Sequence, residues 1–386
     1  MKRWFLHILF VGVLGMLTAS CSQILDDPTQ TMDCHKAQVV FTIALDSPSA
    51  ASRGTWGDNY DDNTTNNYGS DIGDAFDNRI NPDKFFVKLT LGEKTYDVQN
   101  IVHWQTAEQN VYEFVGEVDV NINQTTPYTN AKIMVYANMD PTNGSFDNAT
   151  FNRDAAYIPM FGVQKVSLSL TPGTRTTLSE PIYLLRAMAK VEINMEAEGY
   201  TLTNVSLNRY NSTGYCLPDG AGSVEDTKFL HYDDGTLNSF RPTNSSGTNL
   251  NFSVSNNHLT FYLPEVANGT GDNELKMTLT LKRGTESVTL QAPYLYFRQY
   301  TNGKAEGANP FDVVRNHWYQ YNITAVNTSV VVSLGIYYQV IDWTTVTNPN
   351  LTFGNDYGNV LEGESESSDS SINNGTETES GNASGN

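Results

Sequence analysis

The stretch Lys84-Phe85-Phe86-Val87-Lys88-Leu89-Thr90-Leu91 decides the fold class, because its apolar side chains recur at every second position. Phe85, Val87, Leu89 and Leu91 fall on one side; Lys84, Lys88 and Thr90 fall on the other. Successive side chains of an extended backbone point to opposite faces, so this period marks a strand with one covered face. Working outward, VYEFVGEVDVNI repeats the pattern, setting Tyr112, Phe114, Val118, Val120 and Ile122 against Glu113, Glu117 and Asp119. AKVEINM aligns Ala189, Val191, Ile193 and Met195, and LKMTLTL aligns Leu275, Met277, Leu279 and Leu281. VVFTIAL, AKIMVYANM and VVVSLGIYYQVIDW are apolar on both faces, as buried strands are. Turn clusters such as Asp140-Pro141-Thr142-Asn143-Gly144 and Asn268-Gly269-Thr270-Gly271 separate the runs, and helical periodicity is nowhere sustained. The fold class is all-β, of the β-sandwich kind.

The chain has 386 residues, enough for two cores of roughly 150 residues each. Thr171-Pro172-Gly173-Thr174 and Ser179-Glu180-Pro181 interrupt the strand pattern before Ala187 to Met195 begins a fresh strand. The expected division is therefore a first sandwich over 36–184 and a second over 185–354. Gly54 to Asp74 has no alternation and reads as a loop. The segment 355–386 carries Glu362, Glu364, Glu366, Asp369, Glu377 and Glu379 with no Lys or Arg, and reads as a disordered acidic tail.

The formal charge of −20, with charged residues only 17% of the total, excludes a nucleic-acid backbone as partner. Asn, Thr, Ser and Gly stand where charges usually do, which suits twisted sheets joined by polar turns. At the N-terminus, Met1-Lys2-Arg3 precedes an apolar run to Leu17 that is too short to remain as a spanning helix. Thr18-Ala19-Ser20 are small and Cys21 follows at once. This resembles a bacterial lipobox, although Leu17 stands four residues before the cysteine rather than three. The expectation is a signal peptide over 1–20, lipid attachment (palmitate) at Cys21 and export toward the outer membrane. Asp26-Asp27 resembles an acidic export tag.

No constellation for catalysis emerges: there is no Gly-x-Ser-x-Gly, His-Glu-x-x-His or Cys-x-x-Cys. His35, His103, His231, His258 and His317 have no ligand spacing and read as surface or half-buried residues. DNYDDN (Asp58 to Asn63) offers closely spaced oxygens, but its loop lacks the Gly and Glu of a calcium-binding hand. No enzyme, metal or cofactor is expected. Cys34 and Cys216 could pair after export, though their spacing carries no signal.

Several stretches, none specific alone, are persuasive in their order. IPMFG (Ile158 to Gly162), YLLRAMAKVEI (Tyr183 to Ile193), VVRNHWYQYNI (Val313 to Ile323) and YYQVIDW (Tyr337 to Trp343), with IMVYANMD before them, resemble the fimbrillin family of type V pilins and their minor subunits. The resemblance covers about Lys36 to Phe353. It implies two tandem transthyretin-like β-sandwiches, with RAMAKV opening the second. It also implies a lipoprotein precursor cut after an arginine just beyond the first strand, over a lipidated segment 21–53. The freed strand leaves a groove that the late strand of another subunit fills, a form of β-strand addition.

The resemblance maps onto named residues. Val39, Phe41, Ile43 and Leu45 are the alternating first strand; Arg53 lies in SAASRGTWG, between small residues, and is the candidate cut. A loop arginine with no such role is the alternative. Val330, Val332, Leu334, Ile336, Tyr338 and Val340 form the candidate donor strand. The expected partners are other fimbrial subunits, the outer membrane through the lipid, and host or bacterial surface ligands. The chain continues well past Phe353, unlike stalk pilins, which leaves stalk, tip and anchor open. A surface lipoprotein adhesin binding glycans, with Trp56, Tyr60 and Tyr68 as stacking aromatics, is the other reading.

Overall fold

The computed structural model describes residues 36–45, 75–105, 112–119, 128–219, 221, 240–284, 289–291, 294–301, 304–306, 310–327 and 333–342. Strands dominate, as the alternation requires. The first unit holds β1 (Ala37–Leu45), β2 (Phe85–Leu91), β3 (Lys94–Gln105), β4 (Tyr112–Val118), β5 (Tyr128–Ala137), β6 (Thr150–Asn152), β7 (Met160–Leu168), β8 (Arg175–Thr177) and β9 (Ile182–Arg186). The second holds β10 (Ala189–Met195), β11 (Tyr200–Asn211), β12 (Thr213–Tyr215), β13 (Ser246–Ser253), β14 (His258–Leu263) and β15 (Lys276–Arg283). It continues through β16 (Thr289–Gln291), β17 (Leu295–Tyr296), β18 (Gln299–Thr301), β19 (Lys304–Glu306), β20 (His317–Asn327) and β21 (Ser333–Asp342). Among the described residues one four-residue α-helix, α1 (Ala75–Asn78), precedes β2.

β2 behaves as its pattern dictates: Val87, Leu89 and Leu91 are buried while Phe86, Lys88 and Thr90 are half-buried. Phe85 is also only half-buried, at the start of the strand. A two-residue turn at Gly92 (φ 60°) returns the chain into β3. Such a left-handed position suits glycine, which has no Cβ to clash. β3 pairs with β2 through Lys94 to Val98, then shifts register between Gln99 and Val102 and pairs onward with β4. Asn100 takes φ 51° at this bulge. A bulge bends the strand, and at this one β3 passes from its ladder with β2 to its ladder with β4. The remaining ladders run β2–β5, β5–β7, β7–β9, β9–β1 and β1–β4, so the first sheet closes on itself. In β4, Phe114 and Val118 are buried as expected, and Val115 on the other face is buried too. Val120 and Ile122 lie outside the described residues.

The second unit is an open sandwich. One sheet has the order β14-β10-β20-β21, and the other has β13-β11-β15 with β16 and β17 both on β15. Leu275, Met277, Leu279 and Leu281 are completely buried, facing Val191, Ile193 and Tyr321 in one apolar cluster. Phe252 of β13 stacks on Phe261 of β14 at 4.6 Å, tying the two sheets together.

Met188 belongs to the first core cluster and Ala189 to the second, while Trp318 of β20 packs into the first. A further segment crosses back. β12 pairs with β6 of the first unit, Cys216 N–H donates to Ala149 O at 2.8 Å, and Cys216, Leu217 and Ala221 join the first core. Cys216 is buried, and burial pushes the pKa of its thiol up to about 12; Cys34, with which it could pair, lies outside the described residues.

Candidate functional site

β1 fills a slot rather than an edge. On one side it runs antiparallel to β4, with Val39 opposite Gly116 and Phe41 opposite Phe114. On the other it runs parallel first to β8 (Gln38 to Val40) and then to β9 (Ile43 to Leu45). Parallel pairing with β9 follows from position. β9 enters after a long excursion through β2 to β8, whereas only a hairpin return forces antiparallel order. The turn Thr171 to Thr174, with Gly173 at φ 75°, lays its backbone against the start of β1. Gly173 N–H donates to Lys36 O at 2.8 Å, Gln38 N–H to Thr174 O at 2.9 Å, and Leu178 N–H to Val40 O at 2.8 Å.

Both faces of β1 are covered. Ala37, Val39, Phe41 and Ile43 point into the first core, and Gln38 and Val40 on the opposite face are also buried. Phe41 stacks on Phe114, which in turn stacks on Phe85 at 5.3 Å. The buried Gln38 accepts from Arg175 Nε at 3.4 Å through its side-chain oxygen. At the strand's entry, Lys36 pairs with Glu117 at 3.1 Å. Gly116 leaves no room for a side chain here, since a Cβ would lie 2.1 Å from Val98 Cγ1. Burying Val39, Phe41 and Ile43 contributes roughly 1.5–3 kcal/mol each.

The remaining sequence-derived sites divide between described and undescribed residues. Leu45 ends β1, its backbone beside Leu184 of β9. Cys21, Arg53, Val330 and Val332 lie outside the described residues, as do Trp56, Tyr60, Tyr68 and the DNYDDN stretch. Leu334, Ile336, Tyr338 and Val340 lie in β21, which pairs antiparallel with β20 of the same chain. Val340 stands opposite Tyr319, and Ile336 opposite Ile323. Among the described strands β20 is the only ladder neighbour of β21, so β21 is an edge strand. No group of three metal-binding side chains occurs among the described residues.

A second polar site escaped the sequence reading. RAMAKV and VVRNHW, read as strand and turn, meet at the junction of the two units. Arg186, fully buried, donates from Nε to Asp77 O at 3.0 Å, from Nη2 to Asn78 Oδ1 at 2.7 Å and from Nη1 to Asn316 Oδ1 at 3.2 Å. Lys190 Nζ sits 2.9 Å from Asp77 Oδ2 and 4.5 Å from the Trp318 ring centroid. Tyr262 Oη donates to the other oxygen of Asp77. Arg315 Nη2 pairs with Glu265 at 2.7 Å and, with Nη1, reaches the carbonyls of Tyr215 and Cys216 at 3.2 Å. Asn316, at φ 59°, donates its N–H to Met188 O at 2.8 Å. His317 is buried, rather than at the surface or half-buried as read from the sequence, and desolvation lowers its pKa.

Together these features define a class of protein: two tandem all-β units, joined through a buried polar junction, with an N-terminal strand that closes the first sheet. No family model and no curated protein matches the chain. Similar solved structures include the tip fimbrial protein Mfa3 from Porphyromonas gingivalis with C-terminal truncation, at 13% identity and TM-score 0.44, covering 80% of this chain and 100% of that one. A fimbrial assembly protein from Parabacteroides distasonis is similar at 12% identity and TM-score 0.40, covering 81% of this chain and 99% of that one.

Proposed function

We propose that the chain is a structural subunit of a cell-surface fimbrium, in which β1 yields its slot to a strand from another subunit. The observation that carries this reading is the position of β1. It lies between β4 and the β8/β9 pair, is buried on both faces, and joins the rest of the fold through the segment that contains Arg53. Cleavage after Arg53 would leave β1 held by non-covalent contacts alone and would separate the subunit from lipid at Cys21. The vacated slot would present unpaired backbone from Glu113 to Val118 and from Ile182 to Leu184, together with the apolar positions that Val39, Phe41 and Ile43 occupy. Sheet edges of this kind accept a strand by main-chain hydrogen bonding, with alternate side chains giving specificity.

The incoming strand in this reading is Val330 to Val340 of another subunit. Its described part is an edge strand bound on one side, so its release breaks one ladder, whereas β1 is bound on two. A replacing strand recovers about as much burial as β1 gives up, and the cut supplies the direction by removing the tether that returns β1 to its slot. The precursor reaches the outer membrane as a lipoprotein, and its role is structural and adhesive rather than catalytic.

The test is N-terminal sequencing of the protein taken from the cell surface, beside gels of undissociated multimers. A new N-terminus at Gly54 and a multimer ladder absent from Arg53→Ala support the reading. A surface protein that begins at Cys21 and still forms the ladder overturns it.

A further inference from the structure

The outward positions of β11 and β15 form a sheet face whose chemistry differs from that of a chain with net charge −20. Across their ladder Ser206 stands opposite Thr278 and Asn204 opposite Thr280, while Val205, Leu207, Met277 and Leu279 point into the core. The four polar side chains are half-buried, and none of them hydrogen-bonds to another described residue. Lys276 and Lys282 stand on the same side of β15, six residues apart, which in a strand is roughly 20 Å. No carboxylate occupies a described outward position between them; Glu274, at the border, is buried and held by Arg298 Nη2 at 2.8 Å. Tyr294 lies beside this face. It is 43% exposed, one of two exposed large apolar side chains among the described residues. Its ring is held by its neighbours: Lys276 Nζ lies 4.4 Å from the centroid, and Tyr296 meets it at 6.0 Å with planes 72° apart. A ring fixed in this way has little freedom left to lose on binding.

We propose that this face binds an acidic glycan, a polyhydroxyl chain bearing scattered carboxylate or sulfate groups. Each part of such a ligand has a counterpart. Sugar hydroxyls pair with Asn204, Ser206, Thr278 and Thr280, whose amide and hydroxyl groups both donate and accept. The apolar face of a sugar ring stacks on Tyr294. The acid groups meet Lys276 and Lys282. Charge decides among the polymers. Two cations roughly 20 Å apart suit a chain with sparse acids, whereas duplex nucleic acid presents one charge per about 1.7 Å. A neutral glycan would leave both lysines without a role. The site involves none of Trp56, Tyr60 and Tyr68. It also does not rest on strand exchange, because β11, β15 and Tyr294 belong to one chain and present the face in an unassembled subunit.

Affinity electrophoresis of the full mature chain tests this, in gels containing polygalacturonate, hyaluronate or chondroitin sulfate. At least one of these polymers should retard the protein, and less so as salt rises. Dextran, carboxyl-reduced polygalacturonate and single-stranded DNA should bind at least about tenfold more weakly. Tyr294→Ala should weaken binding of the acidic polymer at least about tenfold through loss of the stacking ring. Lys276→Gln with Lys282→Gln should abolish both the preference for acidic over neutral polymers and the salt dependence. Lys84→Gln with Lys88→Gln removes two cations from the first unit and should leave retardation unchanged. All three variants change surface side chains, and circular dichroism checks that they fold. Retardation by none of the three acidic polymers, equal retardation by a neutral polymer or DNA, or full retardation of the Tyr294 and β15 lysine variants overturns the site. So does a loss in the Lys84 and Lys88 variant equal to that of the β15 pair.

Discussion

Phe41 and Phe114 face each other across the β1–β4 ladder with ring centroids 5.4 Å apart and planes 13° from parallel. The pair is the centre of an aromatic row that continues to Phe85, and it anchors the N-terminal strand in the core. Phe41→Ala should lower the free energy of unfolding by about 3–5 kcal/mol, the usual cost of emptying a large aromatic site. Lys36→Met, at the mouth of the same slot, should cost no more than about 1 kcal/mol because its ion pair is partly solvated. Urea titrations of both variants check this contrast, and a Phe41→Ala chain as stable as the parent would remove β1 from the core.

Gly162 of β7 lies where the backbone of β9 comes closest. A Cβ there would stand 2.4 Å from Tyr183 O and 2.6 Å from Leu184 Cδ2. The nearest atom is main chain, so it cannot turn aside as a side chain would. Gly162→Ala should cost about 1–3 kcal/mol through displacement of β9. Because β9 flanks β1, the same substitution should also speed exchange of amides in Ile43 to Leu45. Amides of the distant β15 should be unaffected, and equal loss there would mean general loosening instead.

Much of this architecture was legible in the sequence. Strands such as β2, β10 and β15 declared themselves through alternation, and the doubly apolar VVFTIAL predicted a strand covered on both faces. The junction was not legible, and Lys190 shows why. It lies one position from Val191, so period-two reasoning assigns it to the face away from the core and hence to water. Whether that face meets water or another unit depends on packing between segments more than a hundred residues apart, as with Lys190 and Asp77. Closure of the first sheet was hidden for the same reason, since β1 meets β8 and β9 only after most of the unit is built. Arg315, Asn316, His317 and Trp318 carried a signal in hindsight: two donor-rich residues in a turn, directly before a strand, need partners if they are buried.

His317 should give the protein a pH-dependent stability. Burial disfavours its charged form and lowers its pKa, while the carbonyl of Arg315, 2.8 Å from Nδ1, and the nearby Glu265 partly oppose this. The unfolded chain then binds a proton near pH 6.5 that the folded chain does not, so stability falls as pH drops through and below that value. His103, also lowered by burial, adds in the same direction. Unfolding midpoints measured between pH 8 and pH 5 should decline, and His317→Gln should flatten that decline even if it lowers stability throughout. An unchanged slope in His317→Gln would place the titrating group elsewhere.

The last prediction concerns the slot itself. Once the chain is cut between Leu45 and Ala75 and β1 is removed under mild denaturant, the first sheet is left open at β4 on one side and at β8 and β9 on the other. A synthetic peptide spanning Lys36 to Leu45 should rebind, because it restores both ladders and refills the sites of Val39, Phe41 and Ile43. Val39→Asp in the peptide should abolish binding, since it would bury an unpaired carboxylate opposite Gly116, where Val98 closes the space. Phe41→Ala should weaken it at least about a hundredfold, the equivalent of roughly 2.7 kcal/mol. A peptide of Val330 to Asp342 should compete for the same slot, with Leu334, Ile336 and Tyr338 supplying the alternate apolar side chains. Fluorescence anisotropy with a labelled Lys36 to Leu45 peptide reads all four cases. Rebinding of the native peptide without competition from the late strand would keep β1 as a closing strand but assign its replacement to a different subunit.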